Sequence, residues 1–297
     1  MSQTRSAAAA PLSVAEVSVA EVRAWTLLIA GLAYWCNVVR TARESAPLGL
    51  DRVVESVIQN GAFCAAAWLL IAAWVVEVGA AGTGITERAS GRQIATALAA
   101  CLPAVVPSRQ TTILLLLILG AQLAWPAGTR AGRKIATLLF ALAFDIAWTS
   151  PYALPLHAAV ANLDAHAVRA LLHVVGITVT EHGTLLDNPG NGFGIEILAR
   201  CASSYPFSGV CLAFVICLLY LGRFPRWRDV PWLAGSLAVS VVLSEIRLSW
   251  MAVREVDYLW LHEGDGVTLY TLIAVGFAML FPLLAVRVGA GGARRAP

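Results

Sequence analysis

Long apolar stretches separated by short polar segments run through most of the chain. A membrane-spanning helix needs about 20 mainly apolar residues, or somewhat fewer between aromatic or polar flanks. Stretches that approach this length are residues 24–39, 60–78, 111–127, 134–150, 207–221, 232–251 and 267–288. A shorter stretch at residues 94–106 contains Pro103 and precedes Pro107, which predicts a kinked span or a re-entrant segment. The pattern predicts an all-α polytopic membrane protein with about eight transmembrane helices.

Residues 151–206 are the one long stretch without an obvious span, and we predict that they form a small cap outside the bilayer. Helical spacing of apolar residues between His157 and Val174, with Gly176 as a stop, predicts a helix. The residues that carry this spacing are Val160, Leu163, Ala167, Leu171 and Val174. Residues 177–180 and 184–186 flank the turn residues 181–183 and predict a hairpin, and the turn at 188–192 leads to a returning segment at 195–201.

Basic residues near short loops remain on the cytoplasmic side of a membrane. This rule predicts three cytoplasmic segments and places the cap, together with residues 252–266, on the outer face. The basic residues are Arg130, Arg133 and Lys134, then Arg223, Arg226 and Arg228, and finally Arg287, Arg294 and Arg295. We expect a multi-pass protein of the inner or plasma membrane.

No internal repeat divides the chain, so we expect one transmembrane domain at residues 23–289. Residues 1–22 lack a compact apolar core followed by a cleavage site, which predicts a flexible tail rather than a signal peptide. Residues 290–297 form a basic C-terminal tail in this interpretation.

The amino-acid composition supports the membrane class and excludes a nucleic-acid-binding protein. The chain has 297 residues, of which 59% are hydrophobic and 13% charged, against about 25% charged residues in ordinary soluble domains. The net charge of +3 is spread over many loops, which excludes nucleic acid as an expected partner. Five cysteines lie within apolar runs, where a cysteine behaves as a small buried hydrophobic residue, namely Cys36, Cys64, Cys101, Cys211 and Cys217.

The remaining cysteine, Cys201, lies where the predicted cap returns to the membrane. A thiol there is reachable from water, and the start of a helix favours the thiolate. Small and hydroxyl residues follow it in the run from Ala202 to Gly209, including Ser208. The alternative interpretation is a cysteine that only packs.

Two further residues complete a possible catalytic set on the same predicted face of the membrane. Arg247 lies inside a predicted span near its outer end, where a charge is costly unless it serves a function or finds a partner such as Glu245 or Asp265. His262 lies in the loop that opens the last span, and its alternative role is that of a solvated surface histidine. A thiol nucleophile, a permanent cation and an imidazole are sufficient for acyl transfer through a thioester.

Other candidates carry less chemistry. His166 and His173 share a helix face but His157 does not, and no HExxH motif is present, so we predict no metal site and no cofactor. Asp145 lies within a span and is a candidate for a proton path.

The segment from Arg169 to Val179, then Cys201, the run Ser244-Glu-Ile-Arg247 and the run from His262 to Gly266 resemble the exosortase/archaeosortase family of membrane transpeptidases. In that family a Gly-hydrophobic-x-Val segment precedes the cysteine, an Asn-x-x-Arg pattern supplies the arginine, and His-x-x-x-Gly opens the last span. This chain departs from the pattern in two places, with Ala202-Ser203 after the cysteine instead of Ser-Gly and with Ser244 at the asparagine position.

The resemblance implies that Cys201, Arg247 and His262 are catalytic. It also implies a substrate class, exported proteins with a tripartite C-terminal tail made of a Pro-Glu-Pro-like motif, a transmembrane helix and a basic cluster. The acceptor would be an amine, a lipid or water, the bilayer is the other partner, and no cofactor is implied. Whether Arg254 or Ser208 assists stays open.

Two other functions remain open at this point. A non-enzymatic transporter or assembly component for surface polysaccharide would use Arg247 and Asp145 along a polar path. A metal-dependent membrane hydrolase would use the cap histidines.

Overall fold

The computed structural model describes residues 24, 26–36, 39, 64–75, 94–95, 97–99, 108–124, 130–262 and 264–293. Helices dominate this part of the chain. They are α1 (Thr26–Cys36), α2 (Cys64–Val75), α3 (Arg109–Ala124), α4 (Arg130–Trp148), α5 (Leu154–Val174), α6 (Phe207–Tyr220), α7 (Val230–Met251), α8 (Glu255–His262) and α9 (Asp265–Ala293).

By length and composition, the segments Trp227–Met251 and Asp265–Val288 are able to cross a membrane. The pair Arg130–Trp148 and Pro151–Val174 meets the same test only as one broken span, bent by 60°. The remaining apolar helices α1, α2, α3 and α6 are shorter, and each lies within or overlaps a predicted span. The described helices fit the membrane class predicted from the sequence, and the count of about eight spans stays a prediction.

Some predictions fall beyond the residues that the structure describes. These are the N-terminal tail at 1–22, most of the kinked stretch at 94–106, and residues 294–297. Helix α9 continues to Ala293, into the segment from residue 290 that was predicted as a C-terminal tail.

The largest apolar core lies between α1, α2, α3, α4 and α6. Leucine side chains of α3 and α4 pack together at its centre. These fully buried residues are Leu115, Leu116, Leu138, Leu139 and Leu142. Tyr34 of α1 and Leu219 of α6 are also buried in this core. Close packing, rather than transfer from water, holds apolar helices together in a bilayer. This core supports α4 and α6, the helices that end and begin beside the cap.

Basic side chains meet at one end of the bundle. The guanidinium of Arg130 donates to the Gly222 carbonyl at 2.8 Å, and that of Arg223 donates to the Ala285 carbonyl at 2.8 Å. Arg223 also pairs with Asp229, whose carboxylate accepts the backbone N–H of Arg226 at 2.7 Å. The start of α4, the connection between α6 and α7, and the last turns of α9 therefore share one end, which we call the basic end (residues 130–134, 221–229 and 285–288).

The cap, residues 151–206, adds a small sheet to a fold predicted as all-α. Its antiparallel strands β1 (Thr180–His182), β2 (Leu185–Asn188) and β3 (Phe193–Glu196) pair in chain order. The predicted hairpin exists, but its register was wrong, because His182 pairs with Leu185 and the turn lies at 183–184. Gly183 has a φ of 67°, which favours glycine, and so fixes the turn there.

Helix α5 begins at Leu154, slightly before the predicted start, and buries a different face from the one that its apolar spacing indicated. Leu163 is 65% exposed and Val174 is 84% exposed. The buried positions are His157, Ala161, Asp164, Ala165, Val168 and Leu172. The alanines allow α7 and the sheet to approach closely, and the two polar residues find partners described below.

The end of α7, the short helix α8 and the start of α9 are tied to the cap. The side-chain amides of Asn188 and Asn191 donate to the Val253 carbonyl at 3.3 and 2.8 Å. Gly266 passes so close to Trp260 that a Cβ there would lie 2.8 Å from the Trp260 carbonyl oxygen and 2.9 Å from its ring. The turn that follows His262 therefore requires glycine at position 266, because any side chain there would collide with Trp260.

We expect Gly266→Ala to lower the thermal unfolding temperature of the purified protein, because the added methyl meets backbone that cannot move aside. Overpacking of this kind costs about 1–3 kcal/mol. Gly276→Ala in the same helix is the matched control, since a Cβ there meets no atom of the described chain within 4 Å. Equal unfolding temperatures for the two variants would contradict the close approach.

Candidate active site

Cys201 lies on a compact turn, residues 198–206, between the last strand of the cap and α6. Its backbone N–H donates to the Leu198 carbonyl at 2.8 Å, and the Tyr205 N–H donates to the Ala202 carbonyl at 2.9 Å. The cysteine is half-buried and packs against the apolar core of the cap, whereas the three residues after it are buried. The thiol therefore sits at the accessible edge of a well-packed turn.

Asp164 of α5 binds this turn on its buried side. Its carboxylate accepts the backbone N–H of Ser203 at 2.7 Å and the Ser203 hydroxyl at 2.8 Å. Hydrogen bonds to an ionised acceptor are about twice as strong as neutral ones. With Asp164 only 3% exposed, Ser203 is fixed relative to α5.

His157, two turns earlier on the same face of α5, holds the next residue. Its Nδ1 lies 2.9 Å from the Ser204 hydroxyl oxygen and its Nε2 lies 3.0 Å from the Trp148 carbonyl oxygen. The Trp148 indole N–H in turn donates to the Ser204 carbonyl at 2.9 Å. His157 thus joins the end of α4 to the turn of Cys201 and has no ring nitrogen left for a metal ion.

Arg247 reaches the site from α7. One guanidinium nitrogen, Nη2, donates to the Leu261 carbonyl at 3.2 Å, and the guanidinium lies over the Tyr270 ring, 4.8 Å from its centroid. Its buried Nε donates to no acceptor within the described residues. The cation is therefore oriented by α8 and α9.

The electrostatic setting of the thiol combines two opposing effects. Burial raises the pKa of Cys201 above its ordinary value, while the Arg247 guanidinium and a backbone hydrogen bond from Leu198 act to lower it. Burial is the largest of these influences, so the resting group is the neutral thiol at neutral pH. Arg247 is thus close enough to Cys201 to favour the thiolate once the proton leaves.

His262 is the last residue of α8. It directly follows Leu261, whose carbonyl accepts the hydrogen bond from Arg247. Its ring is exposed and stacks on Tyr258, with centroids 4.9 Å apart and planes 13° from parallel. Tyr258 also contacts Phe193 of β3 at 6.1 Å. The contact with Leu261 therefore links Arg247 to the helix end that carries His262.

A family model described as transmembrane exosortase matches residues 18–281. The chain belongs to the exosortase family. No curated protein and no solved structure shows a significant match to it. Membership makes it a membrane protein of a protein-sorting family whose members are generally peptidases or transpeptidases.

Two other candidate residues of this exosortase have structural partners. His166 pairs with Glu181 at 2.5 Å, and Asp145 accepts a hydrogen bond from the Cys64 thiol at 3.5 Å inside the bundle. Among the residues that the structure describes, no three His, Cys, Asp or Glu side chains come close enough together to hold a metal ion. Arg254 is exposed beyond the end of α7.

Several residues of the exosortase site were not predicted from the sequence. Asp164 and Tyr270 are the chief ones, together with Tyr205, which packs edge-on against His157 at 5.5 Å. Burial raises the pKa of the Tyr205 hydroxyl, and Arg200 and Arg109 act to lower it. A usable signal existed only for Asp164, an acidic residue among the small apolar residues of α5.

We expect alkylation of Cys201 by iodoacetamide to show a pH midpoint above that of the same cysteine in detergent-denatured protein, because burial disfavours the thiolate. Arg247→Gln is expected to raise this midpoint further, by about one pH unit, since the favourable cation is lost. Mass spectrometry of the Cys201 peptide measures the rate. A native midpoint at or below the denatured value would contradict the burial effect.

Proposed function

We propose that this exosortase is an eight-span enzyme of the inner or plasma membrane with Cys201 on the extracytoplasmic side, and that it cleaves a C-terminal sorting tail from exported proteins through a thioester. The observation that supports the proposal is the Arg247 guanidinium, which the Leu261 carbonyl and the Tyr270 ring orient and which electrostatically favours the thiolate of the half-buried Cys201. The family suggests exported proteins as substrates, and the tail would resemble the Pro-Glu-Pro type.

The proposed sidedness rests on the distribution of charge. The basic end carries Arg130, Arg223 and their neighbours, and positive residues near short loops remain cytoplasmic. The segments that carry Cys201 and His262 directly precede α6 and α9, so they lie at the ends of these helices that are opposite to the basic end. A thiol on the outer face would meet its substrate after export.

In the proposed reaction the Cys201 thiol passes its proton to His262, and the thiolate attacks the scissile carbonyl carbon. The carbonyl oxygen becomes an oxyanion, for which the Arg247 guanidinium supplies a donor. His262 then returns the proton to the departing amine, which leaves an acyl group on the Cys201 sulfur. An amine, a lipid nucleophile or water resolves the thioester and restores the thiol.

The direct test co-expresses the enzyme with an exported reporter that ends in such a tail. We expect cleavage in membranes that contain wild type and a loss of at least about 10³-fold in Cys201→Ala and Cys201→Ser. Cys211→Ala, at a half-buried cysteine of α6, is the matched control and should cleave normally. Cleavage that persists in both Cys201 variants would exclude the thiol mechanism. Absence of cleavage with wild type, across a panel of tails, would favour a transporter or assembly role.

A second test separates the two arginines near the site. Arg247→Gln should slow cleavage by about 10²–10³-fold, the usual cost of one donor to an oxyanion. Arg254→Gln removes the same charge from an exposed position and should change the rate little. The rate of product formation at matched membrane levels measures both. Equal losses in the two variants would point to a general charge effect instead.

A further inference from the structure

One buried carboxylate contacts both sides of the candidate site. Asp164 accepts two hydrogen bonds from Ser203, the second residue after Cys201, at 2.7 and 2.8 Å. The hydrogen bond from the backbone N–H fixes the backbone of the turn relative to α5, and the hydrogen bond from the hydroxyl fixes the Ser203 side chain. Both bonds are buried, so water does not compete for them.

The same carboxylate also contacts α7. The carboxyl groups of Glu245 and Asp164 lie close enough to interact, and Glu245 is only two residues before Arg247 on α7. A hydrogen bond between two carboxyl groups requires a proton on one of them. The other oxygen of Glu245, Oε2, meets no donor among the described residues, so Asp164 is the partner that orients this side chain.

We propose that Asp164 is a positioning residue that sets the spacing between the Cys201 thiol and the Arg247 guanidinium, by binding Ser203 on one side and Glu245 on the other. The interaction of a cation with a thiolate falls with distance and with access of water. A misplacement of about 1 Å is enough to cost 10²-fold in a reaction that depends on geometry. The catalytic meaning of this spacing rests on the proposed function, but the spacing itself is measurable without any substrate.

A purely structural role makes a different prediction. A buried carboxylate that only stabilises the fold would change the unfolding temperature and the expression level when it is replaced. It would not change how strongly Arg247 influences the thiol. The discriminating quantity is therefore the coupling between the two residues in a double-mutant cycle.

The experiment measures the pH midpoint of Cys201 alkylation by iodoacetamide in membranes that contain the full-length protein, with mass spectrometry of the Cys201 peptide as readout. Wild type, Arg247→Gln, Asp164→Asn and the double variant complete the cycle. We expect Arg247→Gln to raise the midpoint by about one pH unit in the wild-type background. In the Asp164→Asn background the same substitution should leave the midpoint unchanged, because the guanidinium no longer lies beside the thiol.

Three further variants keep the result interpretable. Asp187→Asn removes a carboxylate from β2 in the same cap and should preserve the full effect of Arg247→Gln. Glu245→Gln retains a donor for Asp164 and should also preserve it. Ser203→Ala removes one of the two hydrogen bonds without a change of charge and should weaken the effect; it replaces Asp164→Asn if that variant does not reach the membrane.

An undiminished effect of Arg247→Gln in both Asp164→Asn and Ser203→Ala would overturn the proposal. Equal loss of the effect in Asp187→Asn would also overturn it, since any cap carboxylate would then suffice. Because alkylation needs no sorting tail, these outcomes are independent of whether the reporter is cleaved. A positive cycle with no cleavage would leave the positioning role standing and reject only the proposed reaction.

Discussion

The turn that carries Cys201 buries polar groups, and the packing of the cap depends on hydrogen bonds to these groups. Ser203 and Ser204 are 3% and 4% exposed, and a buried polar group without a partner costs several kcal/mol away from water. Helix α5 meets this need with Asp164 and His157 on one face. The need also explains why Leu156, Leu163 and Leu171 of α5 lie outward, since much of the inward face is occupied by the residues that hold the turn.

The same packing determines the state of the thiol. A cysteine embedded in the cap core resists ionisation, and Arg247 offsets this only in part. A resting thiol is protected from oxidation and adventitious alkylation, because the thiolate is the reactive form. In the proposed reaction the nucleophile is therefore generated when a substrate has excluded water and the proton has moved to His262. Tyr270 contributes by lying under the guanidinium, which keeps its planar face from turning toward the bilayer.

Hydropathy predicted the helices well because a bilayer imposes a length and composition on every span. Cys201 and Arg247 also stood out in the sequence, one at a break between apolar runs and the other as a charge within a run, and their catalytic role stays a prediction. Their partners did not stand out, because a sequence does not say which helices touch. Helix α5 illustrates the limit: it is apolar on more than one side, so periodicity predicted a helix but not its buried face. The hairpin register depended on Gly183, whose φ of 67° is a property of the folded chain.

Helix α7 connects the basic end to the candidate site and explains how a charge is tolerated there. Its start is held by Asp229, which binds the Arg226 backbone and the Arg223 side chain. Arg247 follows Val230 by a rise of roughly 26 Å along the helix, against a hydrocarbon thickness of about 30 Å. In the proposed orientation, with the basic end at the cytoplasmic interface, the guanidinium would lie near the outer boundary, where the Leu261 carbonyl and the Tyr270 ring replace water. Shortening α7 by one turn would draw this cation about 5 Å into the bilayer, so the length of the helix is itself part of the site.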